Sequence, residues 1–235
     1  MSHTVIVGGS SGIGLATARH LAASGGTVTI TGRDETRLAQ AARQVPQAKA
    51  IRMDATDASA LRGQFAAIGS FDHLVLALGS RRGIGPFASV DLDDVKRGFE
   101  EKVYAHFATA QAALPFIRPT GSITFVAAVS AHAAAPGTSG IGAANAAVAA
   151  LVPVLAAELR PIRVNGVSPG VIDTPWWDAF PAEQKQAMFA EYGGKTPVGR
   201  VGRPEDVAQA IAFLIGDTFM SGHVVICDGG LRLTA

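Results

Sequence analysis

The run Gly8-Gly9-Ser10-Ser11-Gly12-Ile13-Gly14 follows the β-branched segment Thr4–Val7, and a helical pattern with Leu15, Ala18 and Leu21 begins at once after it. Glycines at such a junction allow a tight turn and close approach of backbone to a bound pyrophosphate, whose charge sits on the positive end of the helix. Alone, a glycine-rich stretch reads as an ordinary loop. Its place between a strand and a helix, at the start of the chain, favours dinucleotide binding. The second candidate strand ends Thr31-Gly32-Arg33-Asp34. An acidic residue at that strand end usually holds the ribose hydroxyls of a cofactor without a 2′-phosphate. Gly32 takes that place and Arg33 follows it, which predicts NADP(H) in preference to NAD(H). The competing reading is a solvated Arg33, and Asp34 beside it blurs the signal. In Met53-Asp54-Ala55-Thr56, Asp54 is placed either to accept from the adenine amino group or to cap a turn, with Asp57 doing similar work nearby.

The elements that would position these residues alternate. Candidate strands are Thr4–Val7, Val28–Thr31, Ala50–Arg52, Leu74–Ala77, Ser122–Val126, Arg163–Val167 and Val224–Ile226, all continuous apolar runs suited to strands covered on both faces. Helix-length segments lie between them. One opens with Pro204, Glu205 and Asp206 and carries Val207, Ile211 and Leu214 on one face. The alternation predicts one α/β domain spanning 1–235, a doubly wound parallel sheet of about seven strands with helices on both faces. The segment 174–201 reads as the only long irregular region, a lid.

Composition narrows the classes. The 235 residues are 48% hydrophobic and 17% charged, with a net charge of +1 and no block of like charge. This argues against disorder, nucleic acid as a partner and a polybasic membrane anchor. The single cysteine, Cys227, excludes a disulfide framework and a cysteine-built metal site, and no metal is expected. The start MSHTVIVGG has no basic segment before an apolar stretch, so a cytoplasmic chain is expected. The uncharged stretch from Thr138 to Ala157 is mostly Ala and Gly, which reads as a helix packed on several sides rather than a membrane span.

Over essentially its whole length the chain resembles the short-chain dehydrogenase/reductase family. The resemblance rests on the GGSSGIG turn, Asp54, Leu76-Ala77-Leu78-Gly79, Ile162-Arg163-Val164-Asn165, Ser168-Pro169-Gly170, Thr174 and Cys227-Asp228-Gly229-Gly230. It implies a Rossmann-type sheet, a nicotinamide cofactor, and Pro169, Gly170, Ile172 and Thr174 lying along the nicotinamide. It also implies a homodimer or homotetramer packed through the two helices flanking the active site. The family's acid–base set is Ser, Tyr and Lys with an Asn. At the matching positions this chain has Ala128, Ile141, Asn145 and Lys102, and the paired Asn near the fourth strand become Leu76 and Ala77. Neither tyrosine, Tyr104 or Tyr192, has a Lys four residues on. Ala and Ile have no proton to give, so the family's usual acid–base step cannot run through them.

Substitutes are few. Ser130 and His132 lie just beyond Ala128, in a small-residue stretch that reads as a mobile loop. His106, one helical turn after Lys102, is expected at a helix–helix interface. Lys102 and Asn145 exchange the family's amide and amine, so Lys102 is expected to clamp the cofactor ribose with Asn145 bracing it. The competing reading sends Lys102 to solvent or to Glu101. Trp176, Trp177, Phe180, Met188, Phe189 and Tyr192 crowd the lid, either as an apolar substrate wall or as the lid's own core. Three function classes stay open: an NADP(H)-dependent oxidoreductase on a small carbonyl/alcohol substrate with an altered proton path, a silent NADP(H)-binding sensor or hetero-oligomer subunit, and another reaction class on the same scaffold.

Overall fold

The computed structural model describes residues 1–234. Strands β1 (His3–Val7), β2 (Thr27–Gly32), β3 (Lys49–Arg52), β4 (Phe71–Leu76), β5 (Ile117–Val126), β6 (Arg163–Pro169) and β7 (Val224–Cys227) form one sheet. Its order is β3-β2-β1-β4-β5-β6-β7 and every pairing is parallel. All seven expected strands are present, the fifth beginning five residues early. Pro119 and Gly121 had masked that start, and residues 118–120 of the extension are exposed.

Helices α1 (Gly12–Ala23), α2 (Glu35–Gln44) and α8 (Pro204–Gly216) cover one face. Helices α3 (Ala58–Ile68), α5 (Ala105–Ala113) and α6 (Ser139–Glu158) cover the other, and α4 (Leu92–Phe99) packs on α6. The central strands are largely apolar because each face has its own core, whereas the edge strand β3 (Lys-Ala-Ile-Arg) is mostly exposed. Phe65, Phe71 and Phe125 are fully buried on one side, Ile6, Ile30 and Ile211 on the other. Each such side chain contributes about 1.5–3 kcal/mol by leaving water.

One expectation changes. Residues 174–201 are not irregular: a short 3₁₀ turn (Pro175–Ala179) leads into α7 (Ala182–Lys195). Lys185, Met188, Phe189 and Tyr192, at helical spacing, form its partly buried stripe, a pattern that the Gly193-Gly194 pair obscures. Helix α6 is long and apolar enough to cross a membrane, yet packs against β5 and β6. It meets neighbours on several sides, α4 as well as the two strands, but much of its surface stays open beyond the buried Gly140, Gly142, Ala144, Asn145, Val148 and Val152. It continues unbroken through Pro153.

Candidate active site

In a doubly wound sheet the crevice forms where neighbouring connections leave toward opposite faces, here between β1 and β4. A cavity of about 690 Å³ opens there. A smaller one of about 200 Å³ adjoins it toward the ends of β2 and β3. The glycine turn is their shared wall. Gly8 has φ +84°, and a Cβ on it would lie 2.5 Å from the Ala77 carbonyl oxygen. A Cβ on Gly14 would run into the Gly8 carbonyl oxygen. Only glycine lets the turn fold this tightly against β4 and aim the start of α1 into the crevice. The Ser11 side chain makes no capping bond among the described residues, so the first amides of α1 remain available to an anion.

At the outer end, the smaller cavity is lined by Ser10, Arg33, Asp54 and Ala55. A Cβ on Gly32 would stand 2.7 Å from the Ser10 hydroxyl, so a carboxylate side chain at that strand end would have to displace Ser10. Asp34 also lines this cavity, where its Oδ1 accepts from the Arg37 amide at 2.9 Å and its Oδ2 faces Arg37 Nη2 at 3.4 Å. The amide bond holds its carboxyl below the usual range. Arg33 is exposed at the rim of both cavities, and Arg37 stands beside it. Sequence reading missed Arg37, although its place one turn beyond Arg33 was a usable signal. Asp54 Oδ1 accepts from the Thr56 amide and hydroxyl at 3.0 and 2.7 Å, so the turn-capping role is real, and the residue also lines the cavity.

The inner end holds Gly12, Ile13, Ala77, Gly79, Pro169, Gly170, Ile172 and Thr174 around the larger cavity, together with Ala128, Ser130, Ile141, Asn145 and Lys102. The methyl groups of Ala128 and Ile141 thus face the space in which chemistry would occur. Lys102 neither reaches solvent nor pairs with Glu101. It sits 4% exposed in a π-helical turn (Glu100–Tyr104) joining α4 to α5. Its Nζ donates to the Leu78 and Val126 carbonyls at 2.7 and 2.8 Å, tying the ends of β4 and β5 together. Burial pushes its pKa down to about 7. Glu101 instead accepts from the Ser80 hydroxyl at 2.8 Å and faces Arg82 at 3.7 Å.

Asn145 does not brace Lys102. Its Nδ2 donates to Ser130 Oγ at 3.1 Å and to the Ile141 carbonyl at 3.0 Å. Its Oδ1 is buried without a partner among the described residues. Ser130 does not lie in an unstructured loop: it belongs to a 3₁₀ turn (Val129–Ala131) after β5. His132 bonds Ser168 Oγ at 3.0 Å through Nε2, and is absent from the cavity wall. His106 packs on the sheet rather than between helices. It stacks on Phe125, with Nδ1 at 2.6 Å from the Lys102 carbonyl and Nε2 at 3.2 Å from the Leu76 carbonyl. Burial, with the Lys102 charge adding, pushes its pKa down to about 3, which removes it as an acid–base group near neutrality.

The lid aromatics pack partly on one another and partly along the cavity. Trp176, Trp177, Phe180 and Phe189 pack on one another. Trp176, Trp177 and Tyr192 also wall the larger cavity. Trp176 Nε1 donates to the Ser80 carbonyl at 3.0 Å, fastening the lid to the loop after β4.

This fold and crevice define a dinucleotide-binding α/β protein of the oxidoreductase type. The family model described as "Enoyl-(Acyl carrier protein) reductase" matches residues 7–232. A "Cis-4-hydroxycyclohexanecarboxylate dehydrogenase" from Sinomonas cyclohexanicum is 36% identical, covering 96% of this chain and 94% of that protein. "Carbonyl reductase family member 4" from Xenopus tropicalis is 30% identical, covering 97% of each. A solved "small-chain dehydrogenase in complex with NADPH" superposes with a TM-score of 0.87 at 30% identity, covering 99% of both chains. The chain belongs to the short-chain dehydrogenase/reductase family, whose members bind a nicotinamide cofactor.

Proposed function

We propose that the chain is an NADP(H)-dependent oxidoreductase acting on a carbonyl/alcohol pair without the family's Ser-Tyr-Lys set, through a proton path of its own. The observation that carries the reading is one cavity with a complete dinucleotide wall and a reactive end lined by Ala128, Ile141 and Lys102. The residues present fit the cofactor: Gly8 and Gly14 of the cradle leave no room for a Cβ, and the end of β2 has a glycine in place of a carboxylate and offers Arg33 and Arg37. When bound, the nicotinamide supplies or accepts the hydride. Arg33 and Arg37 meet the 2′-phosphate, the first amides of α1 the pyrophosphate, and Pro169, Gly170, Ile172 and Thr174 flank the nicotinamide.

Lys102 holds the proton. A neutral amine has two N–H groups, and here both have carbonyl acceptors, which leaves its lone pair free; the protonated form has a third N–H to give. A pKa near 7 lets the two forms exchange near neutral pH. Ser130, held by Asn145, is the hydroxyl that orients the substrate oxygen. Titration with NADPH, followed by NADPH oxidation over a panel of carbonyl compounds with wild type and Lys102→Met, tests the reading. Retained NADPH binding with lost turnover in the variant supports it. Tight NADPH binding with no turnover of any compound by wild type favours a catalytically silent NADP(H) sensor or hetero-oligomer subunit, a role in which Lys102 is only a strut between β4 and β5. The chain is further proposed to pair as a homodimer or homotetramer through α5, α6 and the turn before α5, where Tyr104, Phe107 and Val154 are exposed. A monomeric mass in sedimentation would remove that assignment.

A further inference from the structure

Six charged side chains line the larger cavity, and the balance is uneven: Arg33, Arg37, Arg81, Arg82 and Lys102 against Glu101 alone. The chain as a whole carries a net charge of only +1, so the cavity concentrates cations. Most of them have a task. Arg33 and Arg37 also line the smaller cavity, at the ribose end. Arg82 faces Asp94 at 3.1 Å and Glu101 at 3.7 Å. Lys102 is buried on two carbonyls. Arg81 is left over. It lines only the larger cavity, is exposed, and has no carboxylate partner among the described residues.

Its surroundings locate it at the substrate end. Arg81 Nη1 donates to the Trp176 carbonyl at 3.3 Å, and Trp176 Nε1 returns a bond to Ser80. Two residues on, Gly83 lies against Gly140, and its carbonyl accepts from the Ile141 amide at 3.2 Å. The Ser80–Ile84 loop is thus pinned between the lid and the start of α6, with Ile84, Ile141, Trp176, Trp177 and Tyr192 supplying apolar wall. One Arg81 nitrogen is engaged and the rest of the guanidinium fork is open, which suits a bidentate carboxylate.

We infer that the substrate is an organic acid, its apolar body lying against Ile141 and the lid tryptophans and its carboxylate bonded by Arg81. The inference deepens the proposed function and rests on its division of the cavity into a cofactor end and a substrate end. Both tryptophans of the chain are in the wall, so their fluorescence reports occupancy without turnover. The probes are 4-phenylbutyrate and its amide, titrated into the NADP⁺-saturated protein. The acid binds about ten-fold more tightly than the amide, as a charge-assisted pair requires. Arg81→Gln removes that preference while leaving NADPH affinity unchanged, and Arg81→Lys retains part of it. Equal binding of acid and amide by wild type, or a preference surviving in Arg81→Gln, overturns the inference. Weakened NADPH binding in Arg81→Gln also overturns it, by assigning Arg81 to the cofactor. Failure of wild type to bind NADPH strikes the proposed function instead, and the acid–amide comparison on the free protein still decides the role of Arg81.

Discussion

The ribose end of the cavity and its reactive end are built by different means. At the ribose end the protein works mainly with backbone: a turn closed by Gly8 and Gly14, the open start of α1, and Gly32 making room for the Ser10 hydroxyl. Among the side chains that line it, the cations are the exposed Arg33 and Arg37, beside Asp34 and Asp54. At the reactive end, backbone supplies only acceptors, and everything chemical depends on a few side chains. Two of these are the aliphatic Ala128 and Ile141, and one is an amine buried on the Leu78 and Val126 carbonyls. The contrast teaches that cofactor binding and proton transfer can diverge independently. A phosphate cradle is a property of the turn's path, and losing it would disturb β1, α1 and β4 together. A proton donor is a single side chain, and exchanging it leaves the sheet intact.

The largest expected effect lies at the reactive end. With Lys102 as the proton carrier, Lys102→Met should lower turnover about 10²–10⁴-fold, the usual contribution of a positioned general acid. Steady-state NADPH oxidation measures it, and undiminished turnover in the variant would show that the reactive end is misplaced. At the ribose end, Arg33→Gln should weaken NADPH about 10- to 100-fold and leave NADH nearly unchanged. Parallel fluorescence titrations read the difference, and equal loss for both cofactors would move Arg33 away from the 2′-phosphate.

A smaller effect ties the reactive end to stability. Lys102 has a folded pKa of about 7 against 10.5 unfolded, so between those values the unfolded chain binds the extra proton. Stability from this group therefore rises with pH across that window, by at most about 1.4 kcal/mol per pH unit, and is flat below it. Urea denaturation of wild type and Lys102→Met across that range should show a rise that the variant lacks. The smallest effect returns to the ribose end. Asp34→Ala removes the α2 cap and should cost about 1 kcal/mol, while NADPH affinity stays within about two-fold, because the carboxylate faces Arg37 rather than the cofactor. A marked gain in NADPH affinity would show instead that Asp34 repels the phosphate.

The seven strands and the glycine turn were legible because each depends on local order. Apolar runs specify covered strands, and glycine specifies a backbone path. Tertiary structure alone decided the rest. Lys102 could have faced solvent or Glu101; the π-helical turn and the nearness of two strand ends turned it inward, and the surrounding core pushed its pKa down. Asp34 and Arg33 are adjacent in sequence and both line the smaller cavity, yet only Asp34 is tied to α2, through the Arg37 amide, a bond set by where that helix starts. Arg37, Arg81 and Tyr192 entered the cavity wall through contacts between segments far apart in the chain. Sequence determines what each residue can do, but burial and partners are long-range quantities, so the task each residue performs was fixed only when the chain closed on itself.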